Sequence, residues 1–123
     1  MQPRDNFSMA LRGAEGRIFV GCRQPPRLLV YNTDSGTQIV ALKIDGDIDD
    51  VFYDNISKRV YASCCAGSVD VFRKMSTDSY PALIRDETSE GARTSLLVPE
   101  RSRLYIAVPQ SDIRYARVMV YAI

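Results

Sequence analysis

Arg17-Ile18-Phe19-Val20-Gly21-Cys22 is the stretch that decides the fold, because the chain writes its pattern twice more. It returns as Arg59-Val60-Tyr61-Ala62-Ser63-Cys64 and as Arg103-Leu104-Tyr105-Ile106-Ala107-Val108. From Arg17 to Arg59 is 42 residues and from Arg59 to Arg103 is 44. Aligned by position, Ile18, Val60 and Leu104 form one column, Phe19, Tyr61 and Tyr105 the next, and Val20, Ala62 and Ile106 a third. Successive side chains of a strand point to opposite faces, so a strand apolar on both faces needs cover on both sides. A sheet sandwiched between neighbouring sheets meets that need, and a period of roughly 40–45 residues is that of one four-stranded propeller blade.

Working outward, strands are read where apolar, β-branched or aromatic runs lie between turn signals. The first blade, residues 9–44, takes Met9 to Arg12, Arg17 to Cys22, Leu28 to Asn32 and Thr37 to Ile44. Pro25 and Pro26 interrupt it, since neither can donate to a ladder, and Gly36 is expected to close a tight turn with positive φ. The second blade, residues 50–88, takes Asp50 to Tyr53, Arg59 to Cys64, Val69 to Arg73 and a weaker strand at Tyr80 to Arg85. The third, residues 93–123, takes Thr94 to Val98, Arg103 to Val108 and Arg117 to Ile123, with no outer strand. A second column supports the repeat: Val30, Val71 and Val120, followed by Tyr31, Phe72 and Tyr121. No apolar i, i+3, i+4, i+7 spacing is sustained, so helix is expected to be minimal. The fold class is therefore all-β, one partial propeller domain over residues 1–123 with about eleven strands.

Composition narrows the function classes. Of 123 residues 46% are hydrophobic and 25% charged, which is the make-up of a folded domain, and the net charge of +1 favours neither nucleic acid nor an anionic membrane as partner. Residues 1–13 hold no apolar run of the signal-peptide kind, and no stretch approaches the ~20 apolar residues of a membrane span, so a cytoplasmic location is the default expectation. Cys22, Cys64 and Cys65, three cysteines without secretory context, are expected to be free thiols. Histidine is absent. That removes Ser-His-Asp and Cys-His nucleophile pairs, the commonest general base and most transition-metal sites. No cofactor is expected.

With the blades aligned, the chain resembles the YVTN-type β-propeller family of bacteria. The likeness lies in the three second-strand cores, in residues 28–44, in Gly46 to Asp54 and in Gly91 to Pro109, so it covers nearly the whole chain. Residues 117–123 look like the C-terminal end of such a propeller. The resemblance implies a ring of about seven blades whose last blade is completed by N-terminal chain, whereas this sequence holds under three. It also implies, as an alternative function, lactonase-like hydrolysis at the channel mouth, which some related propellers carry out.

Up-and-down blades place the connections between second and third strands, and between one blade and the next, on one face. That face is expected to collect Arg23, Gln24, Asp45, Asp47, Asp49, Asp50, Cys65, Arg93 and the loop from Gln110 to Tyr115. Candidate ligand-binding residues are Asp47, Asp49, Asp50 and Arg93; the carboxylates of the three aspartates could hold a hard cation or an amine. The spacing does not fit the calcium-loop pattern, and a structural role, turn chemistry with Asp49 paired to Arg93, is the favoured reading of the stretch. Cys64 shares its repeat position with Cys22 and Val108, so packing is favoured over a strained Cys64–Cys65 disulfide. Asp70 stands in a column with Leu29 and Met119 and is expected to be a satisfied acceptor between strands or blades. Arg17, Arg59 and Arg103 are read as structural, pairing with turn carboxylates or carbonyls.

No catalytic residues are assigned. The leading reading is a non-enzymatic propeller unit that binds a protein or a ligand, and a truncated gene product is the third. Closed propellers need about four to eight blades, so the chain is expected to be covered by copies of itself, a homodimer first and a trimer next.

Overall fold

The computed structural model describes residues 4–12, 16–92 and 94–123. Its strands are β1 (Arg4–Arg12), β2 (Arg17–Gln24), β3 (Arg27–Asn32), β4 (Gln38–Lys43), β5 (Ile48–Asp54), β6 (Arg59–Cys64), β7 (Ser68–Arg73), β8 (Ala82–Glu87), β9 (Ser95–Val98), β10 (Arg103–Val108) and β11 (Arg117–Ala122). Among the described residues they form three antiparallel sheets, β1-β2-β3-β4, β5-β6-β7-β8 and β9-β10-β11. A partial propeller of two four-stranded blades and a three-stranded third is the observed architecture. Among the described residues helix is confined to one 3-10 turn at Pro99–Arg101, closed by Ser102 in the left-handed region at φ +52°.

The central strand of the middle blade shows why both faces of the repeat are apolar. Val60, Ala62 and Cys64 of β6 point into a slab with Phe19, Leu28, Val30 and Ile44 of the first blade and Ile48, Val51, Phe72 and Tyr80 of the second. Tyr61 points the other way, into a slab with Val69, Val71, Ala92, Leu104, Ile106 and Val108. Each fully buried aliphatic or aromatic side chain contributes about 1.5–3 kcal/mol, so the two slabs between blades, and not any single sheet, hold the chain folded. Phe19 is the hub of the first slab. Its ring stacks on Tyr53 at 5.8 Å between centroids and meets Tyr80 edge-on at 5.4 Å.

Several strand ends differ from the sequence reading, among them β5, which begins at Ile48 and not at Asp50, and β8, which runs from Ala82 to Glu87; three departures have a clear physical reason. β1 begins at Arg4 and not at Met9, with a register shift between Asn6 and Met9. Arg4, Asp5 and Asn6 carry no apolar signal, and it is backbone pairing with an extended β2, Arg4 opposite Gln24, that makes them a strand. β2 accordingly runs past Cys22 and turns at Pro25 and Pro26, where no ladder donor is required. Tyr80 is not strand. It is 3% exposed and plugs the first slab from the loop before β8, while β8 itself is exposed along its whole length as an outer strand.

The turn residues behave as their chemistry dictates. Gly36 takes φ +70° and donates its N–H to the Asn32 carbonyl at 2.9 Å. The Asn32 side chain accepts the N–H groups of Asp34 and Ser35 at 2.8 and 3.2 Å. Asp54, buried, does the same for the next turn, accepting the Ile56 N–H at 2.9 Å and the Ser57 hydroxyl at 2.6 Å.

Candidate functional site

The connections expected on one face are laced together there. The Cys65 N–H of the β6–β7 turn donates to the Asp47 carbonyl of the β4–β5 loop at 2.7 Å, and the Gly91 N–H of the β8–β9 loop donates to the Cys65 carbonyl at 2.8 Å. Arg114 of the β10–β11 loop donates in turn to the Glu90 carbonyl. Hydrogen bonds thus run from blade to blade across the face.

Within it, the acidic stretch is largely committed to holding strands. Asp45 accepts the Ser68 hydroxyl at 2.8 Å and the Gly46 N–H at 2.9 Å. Its carboxyl is held below the ordinary carboxylate value, chiefly by the Ser68 hydroxyl, with burial opposing and the Gly46 N–H and the Arg85 charge assisting. Asp49, half-buried, accepts Arg23 Nη2 at 3.2 Å, while Arg23 Nε donates to the Ile48 carbonyl at 3.3 Å. Asp50, half-buried, accepts both the N–H and the hydroxyl of Ser95 at 3.0 Å each, tying inner strand β5 to inner strand β9. Asp47 alone of the four is exposed, and its backbone sits in the left-handed region at φ +55°. Arg93, and with it the expected pairing to Asp49, lies outside the described residues.

Asp70 is a satisfied acceptor, as its column implied. It is 5% exposed, accepts Arg85 Nε at 2.5 Å from the neighbouring strand, and accepts the Asp45 N–H at 2.7 Å from the loop that joins the blades. Next to this cluster, the Cys64 thiol is pushed up to about 12, first by burial and then by the Asp70 and Asp45 charges. A thiol so raised stays protonated at neutral pH and is a poor nucleophile. Cys22 and Cys64 are buried, Cys65 is half-buried, and none of the three is joined in a disulfide. Among the described residues no group of three His, Cys, Asp or Glu side chains is arranged to hold a metal ion, and no helix is long and apolar enough to cross a membrane.

The repeated arginines divide. Arg17 Nη2 and Nε both donate to Oδ1 of Asp78 in the second blade, at 2.8 and 3.1 Å, and Arg103 donates to the Ser102 carbonyl at 3.0 Å. Arg59 lines a cavity between the second and third blades. Sequence reasoning placed Asp45 and Asp70 on the map but missed Ser68 and Arg85 as their partners. The missing signal is cross-strand register, which sets Asp70 opposite Arg85.

No family model and no curated protein matches this chain. Solved structures do. The hydrazine synthase of Kuenenia stuttgartiensis is similar at a TM-score of 0.80 and 15% identity, over 96% of this chain and 34% of that one. A candidate 6-phosphogluconolactonase from Bacteroides uniformis is similar at a TM-score of 0.77 and 15% identity, over 99% of this chain and 38% of that one. A protein from Lactobacillus plantarum follows, with a TM-score of 0.68 and 13% identity, over 100% of this chain and 43% of that one. These neighbours are propeller-like, with all-β blades, and at such identities they show the fold alone. The chain spans under half the length of each.

Proposed function

We propose that this chain is a non-enzymatic propeller unit of the YVTN repeat type that serves as a binding scaffold and is completed by association with a second copy of itself. One observation carries the reading, the outward face of the third blade. Leu96, Tyr105 and Val120 lie opposite one another in a row across β9, β10 and β11, and Ala107 and Val118 form the next row. Leu96 is 59% exposed, Val118 63% and Val120 56%. The corresponding faces between the blades are buried slabs, and the apolar make-up this face shares with them supports the reading that a further sheet packs on it. Contiguous exposed apolar surface of this kind marks an interaction site, and a two-fold pair is the simplest closed assembly.

Light scattering at micromolar concentration tests it. A dimer is expected, with Val120→Lys or Leu96→Lys shifting the equilibrium to monomer while the melt stays cooperative. A wild-type chain that is a soluble, cooperatively melting monomer at all accessible concentrations overturns the reading.

The likeness to the candidate lactonase motivates a second reading, a hydrolase acting at the acidic face. Hydrogen bonds to Arg23, Ser68 and Ser95 occupy Asp49, Asp45 and Asp50, which leaves Asp47 as the exposed carboxylate. Lactone turnover, with and without a divalent metal, that is lost in Asp49→Ala and Asp50→Ala would install this reading in place of the first.

A further inference from the structure

Between the second and third blades lies a cavity of about 60 Å³ whose walls are Val69 and Val71 of β7, Ile84 of β8, Leu104 of β10 and Tyr121 of β11. Tyr61 forms part of the same lining. It is 2% exposed, and its hydroxyl has no hydrogen-bond partner among the described residues. Phenolic hydroxyls that are buried normally find a partner, because an unmade bond there forfeits the hydration the group has lost. The neighbouring, half-buried Tyr121 does have a partner, its Oη donating to the Glu87 carbonyl at 2.9 Å. Tyr61 sits in the second-strand column as one of the large residues that fill a slab, and phenylalanine stands at the equivalent position of the first blade. Packing there requires the ring and not the hydroxyl.

The geometry points to a ligand site: we propose that this cavity binds a small, uncharged, largely apolar molecule carrying one hydrogen-bonding group, which pairs with Tyr61 Oη. Arg59 and Asp86 lie on the lining with opposite charges, so the charged side chains there balance one another. Four aliphatic walls select an apolar body. The size is set by the volume: a single water needs roughly 10–15 Å³ by this kind of measure, so the cavity of about 60 Å³ holds about four to six water-sized groups, and a molecule of about six or seven non-hydrogen atoms fits with part of it at the mouth. Alcohols and phenols of that size are the class. The site is independent of the assembly proposed above, because its lining includes none of Leu96, Val118 and Val120 of the exposed outer face of the third blade.

Phenol and toluene, alike in shape and differing in the hydroxyl, are the probes, titrated into the folded chain while the methyl resonances of Val71, Ile84 and Leu104 are followed. Both are expected to produce saturable shifts. Tyr61→Phe is expected to weaken phenol by roughly 2- to 10-fold and to leave toluene unchanged. Ile84→Phe, at a position 51% exposed and so tolerant of a larger side chain, is expected to block both probes without loss of the fold. Absence of saturable shifts in the wild type, with Tyr61→Phe at least as stable as the parent, would show a hydroxyl served by water alone and overturn the proposal. Phenol affinity unchanged by Tyr61→Phe would overturn it equally.

Discussion

Arg85 Nε donates to Asp70 Oδ1 at 2.5 Å across the β7–β8 ladder, joining a half-exposed outer-strand guanidinium to a carboxylate whose side chain is 7% exposed. Asp70 also receives the N–H of Asp45 at 2.7 Å, so a single carboxylate anchors both the outer strand of the middle blade and the loop leading into that blade.

Removing that carboxylate orphans two donors at once. Asp70→Ala is expected to cost about 1–3 kcal/mol in urea unfolding. Arg85→Ala should cost less than Asp70→Ala, since solvent can reach the site from the Arg85 side. A double mutant equal to the sum of the singles would refute the coupling.

Acid stability follows from Asp45. Its carboxyl is depressed relative to the ordinary value of 3.8, so the stability it contributes is fully present above that value and is lost as the pH falls through the lower folded value. Ser68→Ala removes the leading cause. The Asp45 carboxyl resonance of that variant is expected to titrate at higher pH than in the parent, and an unmoved titration would show that the Ser68 bond is not the cause.

Thiol chemistry should separate the adjacent cysteines. With its thiol raised to about 12, Cys64 is expected to resist a disulfide reagent at neutral pH in the native state, as is buried Cys22, while half-buried Cys65 reacts. In denaturant all three should respond. Rapid native reaction at Cys64 would contradict the burial that raises it.

Two contacts bridge the first and second blades with very different weight. Phe19→Ala opens the slab at a fully buried ring stacked on Tyr53 and edge-on to Tyr80, and should cost about 3–5 kcal/mol. Asp78→Ala breaks the ion pair to Arg17, in which Asp78 is exposed, and should cost about 1 kcal/mol or less. Thermal unfolding of the pair checks the ranking.

The repeat columns made the strands legible, and most of all the central ones: Arg59 to Cys64 and Arg103 to Val108 are bounded in the structure as their pattern bounds them. Alternation onto two buried faces leaves little freedom there. Edge segments were less legible, because polar Arg4, Asp5 and Asn6 become strand only through β2, and Tyr80, apolar in sequence, serves a loop as a plug. At the acidic face the sequence located Asp47, Asp49 and Asp50, but partner choice depends on how blades are set against one another. That is why Arg23 as the partner of Asp49, Ser95 as the partner of Asp50 and the cavity beside Tyr61 needed three dimensions.

The two slabs share one sheet, with Val60, Ala62 and Cys64 of β6 serving the first and Tyr61 the second. Cohesion is then a nearest-neighbour affair, as in linear repeat arrays. The middle blade is gripped from both sides and its flanks from one, so amide exchange should run fastest in the outer blades and slowest along β6, and a blade could be gained or lost at an end by duplication or deletion without rewriting the packing of those that remain.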